Sequence, residues 1–148
     1  MVTNIDFEKL ENDAEEIFNN GFACSESVIY AINKNLELGM SDDAIAMSSG
    51  FPWGLGGPGC ICGALAGGTM CLGQVFGRRT PGDPAIQKCF KLTEELHDYF
   101  VEQNGAPCCG KIIAEYADRN DPDRKCKCTK LVRSTVHKVA EIIIRESE

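Results

Sequence analysis

Apolar residues recur at helical spacing through most of the chain. Phe7, Leu10, Ala14, Ile17 and Phe18 alternate with acidic residues, and Gly21 follows where a left-handed cap would stop a helix. A second helix is predicted from about Ser25 to Leu38, with Val28, Ile29, Ile32 and Leu36 on its apolar side and Gly39 beyond its end. Ser41-Asp42-Asp43 offers a cap for a short third helix through Met47. Asp83-Pro84 pairs a capping residue with a proline at the first helical position, opening a long helix to Asn104-Gly105. A short helix over about 110–117 follows, then a polar stretch from Asp118 to Lys127 read as a loop. Leu131, Val132, Val136, Val139, Ile142 and Ile143 mark a final amphipathic helix. Alternating strand patterns and internal repeats are absent. The expected fold is all-α, an irregular bundle of about six or seven helices in a single domain over residues 1–148.

One segment breaks the amphipathic pattern, because no charged residue occurs between Asp43 and Arg78. A membrane span over 60–77 does not fit: the run is short, rich in glycine, contains Thr69 and Gln74, and follows Pro52 and Pro58. A buried central helix does fit. Its glycines at 63, 67, 68, 73 and 77 would each cost up to about 1 kcal/mol in an exposed helix, so a close neighbouring backbone or a bulky prosthetic group is expected beside them.

Composition then directs attention to sulfur. A chain of 148 residues can bury a core without covalent staples, yet it holds nine cysteines, an odd number. The N-terminal stretch has neither a basic start nor an apolar run, which points to the cytoplasm, where dense cysteine signals metal or redox chemistry rather than structural disulfides. The net charge of −7 argues against a nucleic-acid surface. The basic runs Arg78-Arg79 and Arg124 to Lys130 read as solvated loops.

The thiols are not scattered over the predicted elements. Cys24 precedes the second helix, Cys60 and Cys62 open the glycine-rich helix, Cys108 and Cys109 precede the short one, and Cys126 and Cys128 precede the last. Helix starts present free N–H groups and a positive dipole end, which lower a thiol's pKa, and a thiolate is both metal ligand and redox nucleophile. Cys71 follows Cys62 by nine residues, which turns it to the opposite face, and lies roughly 16 Å along the axis from Cys60. Cys71 and Cys89 are therefore read as core residues.

Other motifs fail their context. Gly54, Gly56 and Gly59 satisfy GxGxxG without a preceding strand and with Pro58 interrupting the turn. His97 and His137 sit among polar residues and read as solvent-facing. Neither CxxCH nor CxxC occurs, which removes covalent c-type haem and the thioredoxin-like signature. Trp53 reads as a core or cover residue rather than a catalytic one.

Cys24 within GFACSESV, Cys62-Gly63-Ala64-Leu65-Ala66-Gly67, Gly105 to Cys109 before Lys111-Ile112-Ile113, and Cys128 before KLVRSTVHKVAEI together resemble the C-GCAxxG-C-C family over about residues 15–145. The resemblance implies a small helical protein with a redox role and an iron–sulfur centre. The literal GCAxxG string is absent, since Ile61 precedes Cys62 and Gly63 separates it from Ala64.

Three readings follow. In the first, Cys24, Cys62, Cys109 and Cys128 hold a [2Fe–2S] or [4Fe–4S] cluster for electron transfer, with Cys60, Cys108 and Cys126 as reserve ligands and a redox protein as partner, a homodimer being admitted. In the second, a low-pKa Cys24 or Cys62 acts as the catalytic nucleophile of a metal-free thiol–disulfide oxidoreductase. In the third, four cysteines hold structural zinc.

Overall fold

A computed structural model describes all 148 residues. Its helical segments run α1 (Phe7–Asn19), α2 (Cys24–Leu36), α3 (Asp42–Ala46), α4 (Pro52–Gly56), α5 (Gly63–Phe76), α6 (Ile86–Asn104), α7 (Cys109–Ile112) and α8 (Pro122–Ser147). There are no strands. Seven of the segments are right-handed helices, as the periodicity predicts; α4 is a turn in which Trp53, Gly54 and Leu55 all have left-handed backbone.

Local chemistry explains most of the boundaries. The Asp6 carboxylate accepts the Lys9 N–H at 3.1 Å to open α1, and the Ser41 hydroxyl accepts the Ala44 N–H at 3.2 Å to open α3. At the start of α2 there is no capping side chain; Glu26 instead reaches back to accept the Ala23 N–H at 3.1 Å. That helix ends at Glu37, in left-handed conformation with φ 53°, before the expected stop at Gly39. Three boundaries near the cysteines differ from expectation. The central helix begins at Gly63, leaving Cys60 outside it, and the helix after Cys108 is a single turn. The last helix starts at Pro122, so the second half of the expected loop is helical. Asp121 caps it, accepting the Asp123 N–H at 2.8 Å, with proline at the first helical position.

The uncharged segment forms the centre of the bundle. Helix α5 touches α2, α6 and α8, while α1 lies across α2 and α8. One core of 25 buried residues runs through these helices, from Leu10 and Ala14 in α1 to Ile142 and Ile143 in α8. No helix is long and apolar enough to cross a membrane.

Glycine is required where α5 meets α2. A Cβ on Gly67 would stand 2.6 Å from the Ser25 carbonyl oxygen, and one on Gly63 would stand 2.4 Å from the Cys24 sulfur. Gly73, by contrast, faces open space. Gly67→Ala is therefore expected to destabilise the fold by about 1–3 kcal/mol through overpacking against backbone. Gly73→Ala should stabilise it by up to about 1 kcal/mol through helix propensity. Urea unfolding of the two variants beside the parent checks both signs.

Candidate functional site

The α2–α5 contact places two cysteines side by side. Cys24 is the first residue of α2, and Cys62 is the N-cap of α5. Two further segments complete the arrangement. The Cys62 N–H donates to the Pro107 carbonyl at 2.8 Å, and the Gly110 N–H donates to the Gly59 carbonyl at 3.1 Å, which ties the segment before α5 to the start of α7. Gly59 has φ +88°, and a Cβ there would lie 3.0 Å from the Gly110 Cα, so this junction needs a residue without a side chain. Cys109, the first residue of α7, is thereby brought beside Cys62. Cys128 arrives from the second turn of α8.

Cys24, Cys62, Cys109 and Cys128 line one cavity of about 390 Å³, together with Phe18, Phe22, Trp53, Arg124 and Lys125 among others. These are the four thiols that the sequence pattern singles out, contributed by four different helices. The reserve thiols are not among the residues lining the cavity: Cys60 and Cys126 are exposed, and Cys108 is half-buried at the N-cap of α7. Cys71 and Cys89 are buried, as expected of core residues. His97 and His137 are about half exposed. All nine cysteines are free thiols. No three His, Cys, Asp or Glu side chains close on a single metal ion, so the sulfurs line the cavity walls rather than forming a tight cage.

The electrostatics of these thiols differ from the sequence expectation. Helix-start N–H groups do face the sulfurs: Ser25 N–H acts on Cys24, and those of Ala64 and Leu65 act on Cys62, each lowering the thiol's pKa. Desolvation outweighs them. Burial, with added repulsion from Cys128 and Cys109, pushes Cys24 up to about 11. Burial, followed by the neighbouring Cys24, raises Cys62 further. Cys109 is also raised, by burial first and Cys128 second, although Arg119 and Arg124 pull it down. The apolar walls that shelter the site thus hold Cys24, Cys62 and Cys109 neutral at pH 7 when no metal is bound.

Correction is also needed for the basic run that begins at Arg124, read above as a solvated loop. Arg124 and Lys125 lie on α8 and line the cavity. The Arg124 Nη1 is 3.6 Å from the Cys128 sulfur, and its Nε is buried without any hydrogen-bond acceptor. The guanidinium carbons of Arg119 and Arg124 each lie 4.7 Å from the centre of the Trp53 ring. Lys125 donates to the Phe18 carbonyl at 3.1 Å, at the end of α1. Sequence reasoning missed these cations because it placed them before the last helix. Asp121-Pro122 was the available signal, and it matches the Asp83-Pro84 pattern.

The donor set suits an iron–sulfur centre. Four cysteine sulfurs are the ligand complement of the common clusters, and the buried Arg124 Nε lacks an acceptor that an anionic occupant could provide.

Fold and site define a small all-α protein in which four of nine cysteines converge on one sheltered cavity. The chain belongs to the family described as "Putative redox-active protein (C_GCAxxG_C_C)", whose pattern matches residues 22–142. It is also 28% identical over 141 residues, covering 87% of this chain and 89% of the relative, to an uncharacterized protein of Archaeoglobus fulgidus. No solved structure matches it.

The raised thiols have a measurable consequence. A group whose folded pKa lies above its unfolded value favours the folded state at low pH, and this contribution is lost as pH rises. For Cys24 the window runs from about 9 to about 11, and Cys62, Cys71 and Cys109, raised from the same value near 9, add to the loss within it. The metal-free protein should therefore keep a steady urea midpoint near neutrality and lose stability as pH rises through that window. Cys24→Ser should flatten the decline.

Proposed function

We propose that the protein is an electron-transfer protein that carries an iron–sulfur cluster on Cys24, Cys62, Cys109 and Cys128 and exchanges electrons with a redox partner protein. The observation carrying this reading is the convergence of those four sulfurs, from four separate helices, on one half-enclosed cavity. Bound there, the cluster would supply a centre that accepts and releases electrons.

The chain's own residues have distinct tasks in this reading. Cys24 and Cys62 are held by the glycine contact between α2 and α5, so their separation is set by backbone rather than by flexible side chains. Cys109 and Cys128 come from α7 and α8, where Arg124 and Lys125 offset the negative charge of thiolate ligands. Phe18, Phe22 and Trp53 limit access of water, which raises the influence of nearby charges on the site's potential. Loading would release protons, since Cys24, Cys62 and Cys109, held neutral by burial, must ionise to become ligands. The same burial counts against a metal-free nucleophile, which would need a depressed rather than a raised sulfur pKa.

The test is purification without oxygen, followed by a visible spectrum and assays for iron, acid-labile sulfide and zinc. Brown protein with iron and sulfide is expected. Ser replacement of Cys24, Cys62, Cys109 or Cys128 should each abolish or severely reduce cluster content, while Cys60→Ser, Cys108→Ser and Cys126→Ser should retain it. Colourless protein that takes up neither iron nor sulfide on anaerobic reconstitution would overturn the reading. Zinc without iron would assign the same ligands to a structural site instead.

A further inference from the structure

The region beside the thiol cavity carries a charge arrangement that the thiols alone do not explain. The chain is acidic, with 22 carboxylates against 15 Lys and Arg residues. Seven of those 15 cations meet a carboxylate within 4.0 Å and eight do not: Arg145 and Lys138 meet Glu95, Arg133 meets Glu15, and Lys127 meets Glu115. Arg119, Arg124 and Lys125 have no carboxylate within 4.0 Å.

Acidic side chains are present on the same segment but serve the backbone. Asp118 accepts the Asn120 N–H at 2.9 Å, and Asp121 accepts the Asp123 N–H at 2.8 Å. The cations are held by other means. Arg119 donates to the Gly57 carbonyl at 3.0 Å and lies over Trp53, while Arg124 lies over the same ring and reaches toward Cys128. Two guanidiniums beside one indole repel each other, and the buried Arg124 Nε forgoes a hydrogen bond there.

Backbone conformation adds a second, independent cost at the same place. Trp53 and Leu55 are non-glycine residues with φ of 61° and 62°, in a turn that carries the indole to the cavity. Left-handed backbone at such residues costs of order 1–3 kcal/mol each and collects at functional sites. Gly54 between them admits the fold-back, since a Cβ there would meet the Cys60 nitrogen at 2.3 Å.

We propose that Arg119, Arg124 and Trp53 form an anion-receiving site beside the thiol cavity, with the Arg124 guanidinium, whose buried Nε–H is unclaimed, as its donor, for a small anion that meets the thiols from solution. The proposal rests on the cavity being the functional site, and not on iron filling it. A compact oxyanion fits the fork of a guanidinium, whereas the positive charge of Arg119 and Arg124 repels a free cation. The cluster's own sulfides offer the same acceptor chemistry, so the experiment separates the two sources.

Trp53 is the chain's only tryptophan and reports on the site directly. In the metal-free full-length protein at constant ionic strength, iodide should quench its fluorescence several-fold more effectively than caesium, against the sign of the net charge of −7. Added sulfate should suppress the iodide effect competitively if the acceptor comes from solution. Arg124→Met should lower iodide quenching, and Arg119→Met, at an exposed position, should do so without threatening the core. Iodide preference that sulfate leaves untouched, together with an altered midpoint potential of the reconstituted Arg124→Met protein, would assign Arg124 to the cluster and overturn the diffusible anion. Quenching by caesium equal to or stronger than by iodide would overturn the site itself. Failure to bind iron leaves all of these metal-free readings in place.

Discussion

The arrangement of this protein depends on how closely two helices approach. Gly67 lies against the Ser25 backbone and Gly63 against the Cys24 sulfur, at distances that leave no room for a methyl group. That contact aligns the starts of α2 and α5, so that Cys24 and Cys62 share one end of the bundle. The helix-breaking tendency of glycine is offset because α5 is buried along most of its length and packed on three other helices. A second close approach, Gly59 against Gly110, adds Cys109 to the same end. The thiol cavity is thus a consequence of backbone packing, in which the side chains that matter chemically stand next to residues that have none.

Two electrostatic effects compete at this cavity, and their order decides its chemistry. Helix starts direct N–H groups at Cys24 and Cys62 and favour the thiolate. Removal of the same sulfurs from water favours the neutral thiol, and here it dominates. A site built this way is a poor store of free thiolate. Arg124 and Lys125 act the other way, offsetting negative charge among the sulfurs. Lys125 is pulled below its usual range by burial and by Arg124, and pushed back by Cys128 and Cys24, so the cations and sulfurs of the cavity influence each other in both directions.

Much of the site was legible because cysteine spacing and helix starts are local signals. Cys24, Cys62, Cys109 and Cys128 could be selected over their neighbours by the matched pattern, and Cys71 could be excluded by the geometry of a helix. The cations were illegible for a specific reason. Asp118 to Lys127 looks like a loop by polarity, yet Asp121-Pro122 starts a helix inside it. Polarity there records an exposed first turn, not an absence of structure. The left-handed turn at 53–55 was equally hidden, because nothing in Trp53 or Leu55 favours that conformation. Tertiary contact imposes it, through Gly54 folding onto Cys60 and the two arginines gathering at the indole.

What the sequence alone determined is the set of helices and seven candidate thiols read near their starts, from which the family resemblance selected four, because apolar period and capping residues are properties of neighbouring positions along the chain. What only the tertiary structure decided is which residues face those thiols and with what charge. Burial reversed the expected direction of the pKa shifts of Cys24, Cys62 and Cys109, and α8 moved Arg124 from an expected solvated loop to the wall of the cavity. Both outcomes arise from contacts between segments distant in sequence, where desolvation and close packing are set by the fold and have no local signature.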